Sequence, residues 1–254
     1  MTGKVALVTG ASRGIGAAVA RAFRSRGARV AIAARDADAL DRLAGEIGGS
    51  DGRALVIPTD VSDPDAVEKM VEQAVSEFGR LDFACNNAAG GGHPPMPLAE
   101  IPLEAFDSMQ AISLRGVFLS LRAEIPAIVR SGGGVIVNMS STAGVQGVGG
   151  LASYVTAKHG LEGLTKVAAL DYAAQGVRVN AIAPGPILTD DLIRAGTAAQ
   201  QAAAAAMPLQ RVGVPAEVAA AVVWLCSDES SFITGTTLII DGGKLAGTRT
   251  FEAG

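Results

Sequence analysis

A strand that runs directly into closely spaced glycines and then into an amphipathic helix leaves a chain few ways to fold. Here that sequence is complete within the first 26 residues. Residues 4–9 read as a buried strand, and Thr9-Gly10-Ala11-Ser12-Arg13-Gly14-Ile15-Gly16 follows at once. Beyond it, Ile15, Val19, Ala22 and Phe23 fall on one helical face over residues 15–26. Such a turn leaves backbone N–H groups free at a helix N-terminus whose dipole is positive, an arrangement suited to a pyrophosphate. Glycine has no Cβ to hold backbone and phosphate apart. The spacing is G-x-x-x-G-x-G rather than G-x-G-x-x-G, and a tight glycine turn without a ligand is the alternative reading.

The alternation continues to the end of the chain. Strands are predicted at residues 29–34, 54–58, 81–85, 135–141, 177–183 and 237–241. Helices are predicted at 38–47, 66–78, within 102–129, from 153 to about 174, and at 215–226. This order predicts an α/β fold, a doubly wound, mainly parallel sheet of about seven strands with helices on both faces. With 254 residues, 49% of them hydrophobic, and no repeat or linker, residues 1–254 are expected to form a single domain. The formal charge of -4 is spread without a Lys/Arg run, so nucleic acid is not an expected partner. A strand beginning at Lys4 leaves no room for a signal peptide, and no apolar stretch reaches the ~20 residues of a membrane helix. The expected setting is soluble and cytoplasmic. Cys85 and Cys226 lack metal-site or redox spacing and read as buried thiols.

Several strand ends carry chemistry. The second strand ends at Ala34, followed by Arg35 and Asp36. A carboxylate in that place bonds the 2′-hydroxyl of NAD, whereas a guanidinium suits the 2′-phosphate of NADP. Arg35 with Arg13 favours NADP, and a one-residue shift toward Asp36 keeps NAD possible. Asp60 could accept the adenine amino group with Val61 offering its N–H, while Ser62 and Asp63 before Pro64 suit a helix cap. Asn86-Asn87-Ala88-Ala89-Gly90-Gly91-Gly92 supplies small residues and amides at the sheet's crossover. His93 reads as a loop residue and Trp224 as a core or interface residue. Ser141 ends the fifth strand, thirteen positions before Tyr154. Tyr154 and Lys158, four apart on a helix, share a face. An adjacent ammonium is expected to lower the phenol's pKa from its ordinary value of about 10.

Thr9-Gly10-x-x-x-Gly14-x-Gly16, Asp60, Asn86-Asn87-Ala88, Ser141, Tyr154-x-x-x-Lys158 and Pro184-Gly185-x-x-x-Thr189 together resemble the short-chain dehydrogenase/reductase family. The resemblance runs from Lys4 to about Gly243. It implies reversible hydride transfer between NADP(H), with NAD possible, and a small carbonyl or alcohol. Tyr154 would be the acid and base, Ser141 would hold the substrate oxygen, and Lys158 would bind the nicotinamide ribose. It also implies that the Ile187 backbone and the Thr189 hydroxyl hold the nicotinamide end, and that the Tyr154 helix packs in a homodimer or homotetramer. One position departs from the pattern. Where proteins of this kind carry an asparagine that holds a relay water, this chain has Ser113, whose shorter hydroxyl puts the relay in doubt. A lid is expected at about residues 186–210, charge-free from Ala195 to Gln210, which suggests a small or apolar ketone. Two other functions are compatible with the sequence. One is a 3-oxoacyl-carrier-protein reductase, with Arg130 as the basic residue at the entrance; the other is a dinucleotide sensor impaired in catalysis.

Overall fold

The structure, a computed structural model, describes residues 1–48, 52–90 and 92–247; Gly91 and the end of the glycine-rich tail lie outside the described residues. Among these, seven strands form one sheet: β1 (Val5–Thr9), β2 (Arg29–Ala34), β3 (Ala54–Pro58), β4 (Phe83–Asn86), β5 (Gly134–Met139), β6 (Val177–Pro184) and β7 (Thr237–Ile240). Their order is β3-β2-β1-β4-β5-β6-β7. Every pairing is parallel. The order reverses between β1 and β4, the crevice where ligands bind in open sheets of this kind. Between the strands run α1 (Gly14–Ser25), α2 (Ala37–Glu46), α3 (Pro64–Phe78), α4 (Leu103–Gln110), α5 (Gly116–Arg130), α6 (Ala152–Tyr172), α7 (Asp190–Arg194), α8 (Thr197–Ala205) and α9 (Pro215–Leu225). No helix among the described residues is long and apolar enough to cross a membrane.

Each face of the sheet buries a separate core. On one face Leu7, Ala31, Ala84 and Ile136 meet Met70 and Phe78 of α3, Ile125 and Ile128 of α5, and Leu161 of α6. On the other Val8, Ile32, Cys85 and Val137 meet Val19 and Phe23 of α1, Leu40 of α2, and Val222 of α9. Both cysteines are buried and free. Two helices, α2 and α3, start on a capping aspartate. The Asp63 carboxylate accepts from the N–H groups of Asp65 and Ala66 ahead of Pro64, the expected cap of α3. Of the two places expected for Trp224, core or interface, its 38% exposure excludes the buried core.

Among the buried carboxyls, Asp82, Glu124 and Glu162, one is fully enclosed. Glu124 of α5 is fully buried, and Asn86 Nδ2 donates to Glu124 Oε2 at 2.9 Å and to Asn138 Oδ1 at 3.1 Å. Burial pushes the Glu124 carboxyl up to about 7 against the opposing pull of Asn86. A carboxyl raised in the folded state contributes its full share of stability below the ordinary carboxyl range. That share is lost as pH rises through about 7. Glu124→Gln should therefore flatten the pH dependence of thermal unfolding between pH 5 and 8. At pH 8 it should unfold at higher temperature than the parent, by up to about 3 kcal/mol of stability. Parallel unfolding profiles for the two proteins would contradict this assignment.

Candidate active site

A cleft of about 1130 Å³ opens at the carboxyl ends of the strands, where β1 and β4 diverge. Gly10, Ser12, Arg13, Gly14 and Ile15 line one side of it. The loop is drawn tight by β4: Asn87 Nδ2 donates to the Thr9 and Gly10 carbonyls, and Thr9 Oγ1 accepts from the Asn87 and Ala88 N–H groups. Gly10 has φ +63, and a Cβ there would lie 2.8 Å from the Ala88 Cα. At Gly16 a Cβ would lie 2.2 Å from the Gly10 carbonyl oxygen. Gly16 is thus a packing glycine behind the loop rather than part of the cleft wall. The first turn of α1 has neither a side-chain cap nor an acidic residue, so its N–H groups face the cleft available to an anion.

At the β2 end the wall is formed by Ala34, Arg35, Asp36, Ala39 and Arg42. Asp36 caps α2, its carboxylate accepting from the Ala39 N–H at 3.0 Å. One oxygen of the carboxylate is thereby engaged, and Asp36, on which the NAD reading depends, still lines the cleft. Arg42 was not among the residues singled out from the sequence; it follows Ala39 by three, on the same helix face, and that spacing was the available signal. Arg13 is only weakly paired, 3.8 Å from Asp191, with both side chains exposed. Asp60 and Val61 also line the cleft. The Asp60 carboxylate accepts from the Ser62 N–H and hydroxyl at 2.9 and 2.7 Å, which hold it below the ordinary carboxylate range and therefore ionised.

Ser141, Tyr154 and Lys158 meet on the same cleft as the glycine loop. Ser141 starts a short turn and its Oγ accepts from the Ala143 N–H at 3.1 Å, which fixes the hydroxyl toward the cleft. Lys158 is 2% exposed and its Nζ donates to the Met139 carbonyl at 2.7 Å. Burial lowers the ammonium to about 8, while the charge of Glu162 raises it. The Tyr154 phenol, contrary to expectation, is raised rather than lowered. Burial dominates, the hydrogen bond with Ser141 offsets only part of it, and the ammonium, 5.7 Å from the ring centroid, is directed at Met139. Tyr154 is therefore a neutral acid at neutral pH.

Ser113 is the other predicted residue that does not reach the wall. It is fully buried in a π-helical turn, Ala111–Arg115, where its Oγ accepts from the Gly90 N–H at 3.0 Å and lies 3.2 Å from Met109 Sδ. Its hydroxyl holds the loop after β4. His93 is more than a bare loop residue. Its Nδ1 is 2.9 Å from the Pro94 carbonyl, to which it donates, and its Nε2 is 2.9 Å from Ser153 Oγ.

Pro184, Gly185, Ile187 and Thr189 form the far wall. The Thr189 side chain precedes α7 without capping it. Within the expected lid it is the charged α7, through Asp190, Asp191 and Arg194, that faces the cleft, whereas α8 buries no residue and lines none of it. The charge-free stretch therefore gives no indication of substrate polarity. Arg130 ends α5 beside Ser131, whose hydroxyl accepts from the Leu81 N–H ahead of β4. That is the opposite end of the sheet from the cleft, so Arg130 is not at its entrance.

The wall suits a nicotinamide dinucleotide along its length: uncapped N–H groups for a pyrophosphate, side chains at β2 and after β3 for an adenosine, and hydroxyls at β5 and α6 for the reacting end. Known proteins agree with this geometry. The family described as Enoyl-(Acyl carrier protein) reductase matches residues 10–244. An A-factor type gamma-butyrolactone 1′-reductase of Streptomyces virginiae is 42% identical over 96% of both chains. A cyclohexanol dehydrogenase of Acinetobacter is 39% identical over 94% of both. A crystal structure of a short-chain type dehydrogenase/reductase from Mycobacterium marinum superposes with a TM-score of 0.89 at 38% identity, covering 97% of each chain.

Proposed function

The chain belongs to the short-chain dehydrogenase/reductase family, and on that premise we propose that it moves hydride between NADP(H) and a small ketone or secondary alcohol, with Tyr154 as the acid and base. The observation that carries this reading is the convergence of Ser141, Tyr154 and Lys158 on the cleft that the glycine loop also lines. The nicotinamide, when bound, donates or accepts the hydride. Ser141 holds the substrate oxygen within reach of Tyr154. In reduction the neutral phenol gives its proton to that oxygen; in oxidation its phenolate removes the hydroxyl proton. Lys158 and Tyr154 hold the ribose hydroxyls at the reacting end, while Gly14 and Ile15 at the start of α1 hold the pyrophosphate. Relatives named for cyclohexanol and cis-4-hydroxycyclohexanecarboxylate support cyclic secondary alcohols and their ketones as the first compounds to test.

NADP(H) is favoured by Arg35 and Arg42 on the cleft wall, with Asp36 occupied as a helix cap. Consumption of NADPH and NADH across a panel of cyclic ketones tests both parts. Turnover with NADPH preferred is the expected result; cofactor bound without turnover across the panel would replace the enzyme by a sensor. Arg35→Ala should raise the KM for NADPH at least tenfold, the loss of one charge-assisted phosphate contact of about 1.5–3 kcal/mol, with little change for NADH. Equal losses for both cofactors would count against a 2′-phosphate site. The exposed Val167 and Leu170 of α6 and Phe118 of α5 support self-association through these helices.

A further inference from the structure

One helical turn beyond Lys158 stands a second buried charged residue. Glu162 is 6% exposed, and Thr237 at the start of β7 donates its hydroxyl to Glu162 Oε2. The other carboxylate oxygen, Oε1, is buried without a partner, as is Ser140 Oγ at the end of β5. Both face Gly144. A Cβ on that glycine would lie 2.5 Å from Ser140 Oγ, 3.1 Å from the Lys158 carbonyl and 3.2 Å from Glu162 Oε1, so a side chain there would crowd both unpartnered oxygens. A buried carboxylate held by one hydroxyl is costly unless a cation compensates it. One turn away stands a cation, the Lys158 ammonium, which among the described residues donates to the Met139 carbonyl alone.

From this arrangement we infer that Glu162 is a positioning residue: its carboxylate, tethered by Thr237, is the countercharge that keeps Lys158 an ammonium and aims it past Met139 into the cleft. Other ionisable groups lie around the same space. Tyr154 shares the helix, Asp60 follows β3, and Asp190, Asp191 and Arg194 belong to α7 across the cleft. Glu162 is the one whose charge opposes the burial of Lys158. Without it, desolvation acts on Lys158 unopposed and the amine becomes neutral at working pH. Two buried charged residues one turn apart on α6, one of them with an unpartnered carboxylate oxygen, carry the pairing; its consequence for turnover rests on the role given above to Lys158.

The experiment is a pH titration of the lysine 13Cε resonances in protein labelled at its five lysines, with Lys158→Met to assign the signal. It is run on the parent, Glu162→Gln and Thr237→Val, beside the pH profile of kcat/KM for ketone reduction. In Glu162→Gln the Lys158 signal should titrate at least one pH unit lower than in the parent. The alkaline fall in kcat/KM should move down with it, so that activity is near the parent's at pH 6 and about fivefold or more lower at pH 8. Thr237→Val keeps the charge and should shift the titration less than half as far. If Glu162→Gln does not fold, Glu162→Asp, which withdraws the charge by one methylene, should show a smaller shift in the same direction. An unmoved Lys158 titration overturns the inference, and so does a uniform loss of activity at every pH. A shifted titration in a protein that turns over no ketone would leave the pairing standing and count against the proposed reaction instead.

Discussion

Tyr154→Phe is expected to lower ketone turnover by about 10³-fold or more while NADPH still binds within a few-fold of the parent affinity. The substitution removes one oxygen from a ring that is otherwise held in place by burial, so the cleft keeps its shape and its phosphate loop. What is lost is the only phenol on the cleft wall, the group whose pKa is raised and whose proton is therefore present at pH 7. The same direction of shift makes the oxidation reaction, which needs the phenolate, rise with pH. The reduction should weaken above about pH 8, where Lys158 loses its charge. Fluorescence titration with NADPH and steady-state rates on the same preparation separate binding from chemistry. Activity within tenfold of the parent would remove Tyr154 from the proton-transfer role.

The second large effect is expected at Gly16. A methyl there meets the Gly10 carbonyl oxygen at 2.2 Å and Asn87 Nδ2 at 2.6 Å, and a backbone atom cannot rotate away. Gly16→Ala must push the start of α1 off the loop and break the Asn87 bonds to Thr9 and Gly10. Overpacking of this kind costs about 1–3 kcal/mol of stability. Displacing the N–H groups that face the pyrophosphate should weaken the dinucleotide about a hundredfold, near 3 kcal/mol. Gly14→Ala is the informative comparison. It strains a residue at φ +55, but its Cβ meets only Thr189 at 3.4 Å, so it should leave the Asn87 bonds to the loop in place and cost less stability than Gly16→Ala, although its methyl stands on the wall given to the pyrophosphate. Calorimetric unfolding and cofactor titration of the two variants check the order; equal losses of stability would mean that the close approach at Gly16 does not set the loop.

How far the sequence can be read differs from residue to residue, for physical reasons. The strand, glycine turn and helix at residues 4–26, the alternation that follows and the Ser141, Tyr154 and Lys158 convergence are local patterns, and local patterns survive into the structure. Ser113 shows the limit. Its side chain is buried within a π turn at Ala111–Arg115, and a pattern of residue types does not display that turn. Arg130 was misplaced for a topological reason. A helix that follows a strand of a parallel sheet starts at the carboxyl end and returns to the other, so the end of α5 lies away from the cleft. The pairing of Glu162 with Thr237 spans 75 positions and exists only because β7 adds beside β6. Tyr154 was misjudged in sign, because helical spacing gives the neighbouring ammonium but not the burial that outweighs it.

The central claim is that a neutral phenol waits beside the transferable hydrogen of a bound nicotinamide. A crystal structure of the protein with NADP⁺ tests it most directly. The account predicts the nicotinamide ring packed between Pro184–Thr189 and Tyr154, with the Tyr154 hydroxyl and Ser141 facing the same open position above the ring. A ring seated away from Tyr154, with that hydroxyl out of reach of any substrate bound to it, would contradict the account.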